Sequence, residues 1–231
     1  MKSSMTEMIF HRKSCRSFTN VPVAAGMLEA IKAFPLKPLY PEIKIRWEIV
    51  PRNQVKCICP WTTPQLIAVY SEKTEGWLEN VGFLFQQMDL YLQSQGLGVC
   101  WLGLGRMNPK VANGVEGMRF VIMLAFGDPK GDQQRHNLRE FKIKPLEQIA
   151  DQVDPKLEPA RLAPSAVNIQ PWYFTHEDDT LHVFCSRKGS PLDVGIALAH
   201  LYVANRETFR FCKAENSPTV PGYDYIGSVT V

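Results

Sequence analysis

Between residues 81 and 92 the apolar side chains fall at Val81, Leu84, Phe85, Met88 and Leu92, a spacing of i, i+3, i+4, i+7 and i+11. That spacing draws one stripe along an α-helix. Phe83 and Leu90 add apolar character on other faces, so this helix is expected to be buried on more than one side. Gly96 stands where a left-handed residue would end it. A second, thoroughly apolar helix is expected over residues 192–205 (LDVGIALAHLYVAN). At 231 residues the chain can bury a core around such helices without staples.

The strands show a different period. Ile43, Ile45, Trp47 and Ile49 alternate with Lys44, Arg46 and Glu48, the pattern of a half-buried strand. Leu66 to Tyr70 and Phe120 to Phe126 are continuous apolar runs, consistent with buried strands. Tyr173–Thr175 and Leu181–Cys185 read as strands joined by a turn at 176–179, and the tail YDYIGSVTV is strand-like. Short helices are expected over Ser3 to Arg16, capped by Ser4 or Thr6, and over residues 22–31. Residues 128–140 are the most polar stretch and the best linker. The order helix, strand, long buried helix, strand thus occurs about twice. It predicts an α+β chain made of two halves, 1–140 and 141–231, that share one core.

Several classes are excluded. A formal charge of +3 with no Lys/Arg run argues against nucleic acid. No stretch approaches the roughly 18 apolar residues of a membrane span. The N-terminus lacks the apolar run of a signal peptide. Six cysteines without a Cys-x2-Cys pair fit a reduced, cytoplasmic setting, most of them as small core hydrophobes. The five histidines show no metal-ligand spacing, so no structural metal is expected.

Four segments could carry chemistry. In HRKSCRSF, the cations Arg12, Lys13 and Arg16 surround Ser14, a donor set suited to a phosphate monoester. Alone, it reads more readily as a solvated basic helix end. In APSAVNIQPW, Pro164 can start a helix, and the Asn168 amide can read a heterocycle edge. The plainer alternative is a capped helix start before a core Trp. In GLGVCWLGLG, four glycines let backbone approach a flat ligand, or simply make a tight helix-to-strand turn. In FKIKPLEQI, Lys142 and Lys144 are two apart on an extended stretch and can point the same way, toward a phosphate or into solvent.

Together these segments resemble the nitroreductase family. HRKSCRSF followed by VPV is similar to its Arg-Arg-Ser-x-Arg-x-Phe motif, and APSAVNIQPW to its Ala-Pro-Ser-x-x-Asn-x-Gln-Pro-Trp segment. The helix from Trp77 with CWLG, then FGDPK and KIKPLEQI, resembles the remaining landmarks. The family's Ala-Pro-Ser motif usually follows soon after the arginine motif, whereas here it appears only at 163–172. The arrangement resembles the subgroup of single-chain pseudo-dimers. A nitroreductase-like fold is therefore implied, with a central antiparallel sheet, long buried helices and two fused halves. One flavin site per chain is implied, built from the two ends of the polypeptide, with the reciprocal site empty.

By position, the resemblance gives Arg12, Lys13, Ser14 and Arg16 to the phosphate and ribityl chain of FMN, with Lys142 and Lys144 assisting. Pro164, Ser165 and Asn168 would contact the isoalloxazine ring, and Leu102, Gly103 and Leu104 would flank it near N5. Ala166 replaces a serine common in the family. The implied activity is an FMN-dependent NAD(P)H oxidoreductase acting on nitroaromatic, quinone or related small acceptors, with no side chain as acid or base. The same site would also serve an FMN carrier or sensor without turnover. The implied state is a monomer with an internal pseudo-twofold.

Overall fold

Ser4 starts the first helix, α1 (Met5–His11), in the computed structural model, which describes residues 3–109, 115–214 and 217–231. Its hydroxyl accepts the Glu7 N–H while the Glu7 carboxylate accepts the Ser4 N–H, a reciprocal capping box. The helix stops at His11, five residues short of the expected end. Arg12 turns to φ −57°, ψ 141°, because residues 14 and 15 leave to run beside a strand. After α2 (Ala25–Ala33) come β1 (Ile45–Pro51), β2 (Val55–Lys56) and β3 (Gln65–Ser71). Next are α3 (Trp77–Ser94), β4 (Gly98–Leu102), β5 (Arg106–Met107) and β6 (Arg119–Gly127). α3 ends where glycine permits it. Gly96, at φ +87°, donates to Gln93 O (3.0 Å), and Leu97 N–H reaches Leu92 O (3.1 Å). Those are the two bonds of a Schellman cap.

The chain divides into two compact units. Residues 1–36, 41–77 and 88–137 form the first; 37–40, 78–87 and 138–231 form the second. The break at 137/138 falls in the polar stretch. Unit one carries an antiparallel sheet of order β1-β3-β6-β4 and the small ribbon β2-β5. Val50, Leu66, Ala68, Met123 and Ala125 pack with Cys15 and Phe18 in one of its cores.

Unit two contains α4 (Glu158–Arg161), β7 (Trp172–Glu177), β8 (Thr180–Ser186), α5 (Pro191–Ala204), β9 (Arg210–Cys212) and β10 (Tyr223–Thr230). Its sheet has the order β7-β8-β10-β9, again antiparallel. Both four-stranded sheets thus share one connectivity: first strand, second strand, long helix, third strand at the edge, fourth strand inside. The repeat that helix and strand order hints at is plainer in this pairing.

Within unit two, glycines let two helices touch backbone to backbone. A Cβ on Gly82 would stand 2.0 Å from Leu192 O, and one on Gly195 would stand 2.0 Å from Glu79 O. Neither obstacle is a side chain that can swing away. Gly195→Ala is therefore expected to destabilise the chain by about 1–3 kcal/mol through forced separation. Alanine in an unhindered helix would instead stabilise by up to about 1 kcal/mol. The sign of the change in a thermal melt decides between close approach and free space. Beside this crossing, His200 Nδ1 donates to Pro159 O (2.9 Å) and Nε2 accepts from Gln86 Nε2 (2.9 Å). The ring thereby ties α3, α4 and α5. The segment 37–40 joins the same unit because Asn80 binds the backbone of Leu39 and Tyr40, and Gln87 that of Lys37.

Only half the cysteines are core residues. Cys15, Cys100 and Cys185 are buried, and burial pushes the Cys100 thiol up to about 11 and that of Cys185 to about 12. Cys57 and Cys59 are half-buried and Cys212 is exposed. Among the described residues, no helix is long and apolar enough to cross a membrane.

Candidate functional site

The four chemistry-bearing segments form two pairs, one in each unit. In unit one the arginine–serine segment lies along the glycine-rich segment. Ser14 bridges Val99 in parallel, and Cys15 N–H donates to Val99 O (2.8 Å). Gly98 is required there, since a Cβ would meet Cys15 Sγ at 2.6 Å. The glycine's part is therefore close approach to the arginine segment.

The three cations of this segment have different surroundings. Arg12 is 2% exposed. Its Nε donates to Asp89 Oδ1 (3.2 Å) and its Nη2 to Asp89 Oδ2 (3.4 Å) and Ser14 Oγ (3.4 Å). Asp89 lies fully buried on α3 and also accepts from Gln93 Nε2 (2.5 Å). Gln93 Oε1 in turn accepts the Lys13 N–H (3.2 Å). The Arg12 guanidinium is thus engaged inside the protein, where it fixes the segment's path. Lys13 and Arg16 are exposed and Ser14 is half-buried. At the far end of β4, Leu102 is buried, whereas Gly103 and Leu104 are exposed. The carbonyls of Gly103 and Gly105 accept from Arg106 Nη1 (2.8 and 2.7 Å).

In unit two the Ala-Pro-Ser segment meets the two lysines. Pro164 does not start an α-helix. Residues Ala166–Asn168 form a single 3-10 turn, with Val167 at φ 42°, Asn168 at φ 61° and Gln170 at φ 44°. Three non-glycine residues in the left-handed region within four positions store strain on the order of 1–3 kcal/mol each. Such strain persists only where neighbours over-determine it, and Gln170 supplies most of the constraint. Fully buried, it accepts Lys144 N–H at Oε1 (2.5 Å) and donates from Nε2 to Arg161 O (2.7 Å). Its own N–H donates to Ser165 Oγ (2.9 Å), and its carbonyl accepts Lys144 Nζ (3.0 Å).

Asn168 Nδ2 donates to the Lys142 carbonyl, leaving its Oδ1 as the acceptor. Lys142 is exposed, while Lys144 is turned onto Gln170, and its burial lowers the ammonium's pKa. The two lysines therefore have different roles, although the two-residue spacing predicts a common direction. The turn leaves Val167 92% exposed, and Pro164 and Ser165 half-buried.

Asp89, Asp193, Arg106 and Gln170 were not among the expected site residues. Two of them had a visible signal, because a carboxylate inside an apolar helix demands a partner. Asp193, in the first turn of α5, is 3% exposed. Its Oδ1 accepts the Ala166 N–H (3.2 Å), its Oδ2 has no hydrogen-bond partner among the described residues, and burial raises its pKa to about 6.

Two four-stranded antiparallel sheets of one connectivity, each with a long apolar helix between its second and third strands, define an α+β protein of the nitroreductase-like fold. A solved structure from Thermotoga maritima, described as a "putative nitroreductase", has this fold with TM-score 0.71, 23% identity, and coverage of 99% of this chain and 93% of its own. The model of the family described as "Putative TM nitroreductase" matches residues 4–205, and the chain belongs to that family. Partial matches include a nitroreductase family protein from Clostridium difficile 630 (TM-score 0.49, 15% identity, 64% of this chain and 96% of that one). Another is a nitroreductase with bound FMN from Bacteroides fragilis (TM-score 0.43, 16% identity, 58% and 95%). No curated protein matches the chain.

Proposed function

We propose that this chain is an FMN-dependent NAD(P)H oxidoreductase that reduces nitroaromatics, quinones or related small acceptors. The supporting observation is that both family motifs are built features: one is laid along β4, the other is a strained turn locked by Gln170. Their donor sets fit FMN. A phosphate monoester asks for cations and hydroxyl or amide donors, and Lys13, Arg16 and Ser14 supply them at an accessible surface. Asn168, with its amide nitrogen donating to Lys142 O, offers an oxygen to a ring N–H. Lys142 adds positive charge beside that turn. Bound FMN would supply the two-electron chemistry. The chain's residues would bind and orient it, with no side chain required to move a proton. Arg12 would act indirectly, by holding Ser14 and Lys13 in place.

The repeated connectivity supports reading the chain as two fused family-like halves, 1–140 and 141–231, with one flavin per monomer. Purified protein is expected to be yellow, to hold one FMN per chain, and to bleach anaerobically with NADH or NADPH. Arg16→Glu combined with Asn168→Ala is expected to weaken FMN at least tenfold while the FMN-free chain still melts cooperatively, a few degrees lower because alanine resists the left-handed backbone at 168. Arg12 is the wrong residue for this test, because its loss strips Asp89 of its counter-charge. Protein that takes up no added FMN would sink the proposal. A yellow protein that neither nicotinamide bleaches would instead be a flavin carrier or sensor.

A further inference from the structure

Unit two contains a groove of about 350 Å³ whose lining includes Lys37, Phe83, Tyr202, Arg206, Phe209 and Arg210. Its floor is aromatic. Phe83 is 2% exposed and Phe209 9%, and Tyr202 stands half-buried against both. The ring centroids lie 5.4 Å apart for Phe83–Tyr202, 5.8 Å for Phe83–Phe209 and 5.6 Å for Tyr202–Phe209. The rim is cationic. Lys37, Arg206 and Arg210 are all exposed, and among the described residues no Asp or Glu lines the groove.

Two of these cations sit on fixed supports. The Lys37 backbone is clamped by Gln87 at both N–H (3.2 Å) and carbonyl (2.8 Å). Arg210 Nη1 donates to Glu207 O and Phe209 O (2.9 Å each). The Arg206 guanidinium lies 5.9 Å over the Tyr202 ring. The location carries a second argument. The connection from α5 to β9 occupies in unit two the place that the connection from α3 to β4 holds in unit one. Unit one builds that corner with Gly96 and Gly98; unit two builds it with Arg206, Phe209 and Arg210. The same topological corner has been given different surface chemistry.

We propose that this groove is a ligand site for a flat aromatic anion, one or two rings carrying a single carboxylate or phosphate. The volume lies at the small end of ligand pockets, roughly 300–1,000 Å³, which suits that size and is tight for a dinucleotide. Three like charges on one rim concentrate anions there. Tyr202, half-buried over Phe83 and Phe209, offers a surface for the ring, and the cations hold the charged end. The site does not depend on flavin binding.

The test is calorimetric titration of the full chain, with 2-naphthoate as carboxylate probe, adenosine monophosphate as phosphate probe and 2-naphthalenemethanol as neutral control. Saturable one-to-one binding of at least one anion is expected, weakening as salt rises. Affinity should fall at least tenfold for the neutral control and in Lys37→Glu/Arg206→Glu. Tyr202→Ala should also weaken binding. Arg16→Glu/Asn168→Ala should leave it unchanged, which separates this site from the flavin reading. Comparison of the two anions identifies the acid group. The proposal is overturned if neither anion binds at millimolar concentration, if the neutral control binds as well, or if the charge-reversed chain keeps its affinity.

Discussion

Asp89→Ala is expected to destabilise the chain by about 3–5 kcal/mol, the cost of leaving a buried charge uncompensated. For a chain of this size that corresponds to a fall in melting temperature of about 6–20 °C. The reason is the depth of the pair. Asp89 is 0% exposed and Arg12 2%, with two donor–acceptor contacts between them. An exposed ion pair such as Lys32–Glu29, by contrast, is worth at most about 1 kcal/mol. Removal of the carboxylate also frees Gln93 Nε2, and Gln93 holds the Lys13 N–H. The loss should therefore spread to the segment proposed to bind phosphate. Apolar replacement of both partners, Arg12→Leu with Asp89→Leu, should recover part of the stability, because no charge is then left stranded. A melting temperature for Asp89→Ala within about 2 °C of the parent would mean that water reaches the guanidinium.

Asp193→Asn should make the chain more stable above pH 6 and leave it nearly unchanged below pH 4. Burial raises the Asp193 carboxyl to about 6, against the lowering influence of the Ala166 N–H. The unfolded carboxyl titrates near about 3.9. A folded pKa above the unfolded one means that the protonated form favours folding. The contribution is therefore complete below the unfolded value and is lost as pH rises through the folded one. Two pKa units correspond to about 3 kcal/mol, or about 6–12 °C in melting temperature here. Asparagine mimics the protonated acid and keeps an oxygen for Ala166 N–H. The gap between the two melting curves should open between pH 4 and pH 6. Parallel curves across that range would show that the charged carboxylate is solvated or paired.

The local elements were legible because they rest on short-range physics. The stripe through Val81, Leu84, Phe85, Met88 and Leu92 specified α3, and Gly96 its end. The runs at 66–70 and 120–126 became β3 and β6, paired in one sheet. The motifs at 11–18 and 163–172 marked the residues to watch, because their chemistry is written in side-chain type. What sequence spacing does not express is the company those side chains keep. Nothing adjacent to Arg12 reveals that Asp89, 77 residues away, takes its charge. Nor does the local pattern at Pro164 reveal a left-handed turn, since Val167 resists that conformation on its own and bonds from Gln170, Asn168 and Asp193 to Lys144, Arg161, Lys142 and Ala166 impose it. Residue type and period thus settled which segments are helix, strand and motif. Tertiary packing decided which cations are engaged and which exposed, and the cost of burying unpaired charge and unbonded backbone is what makes that decision.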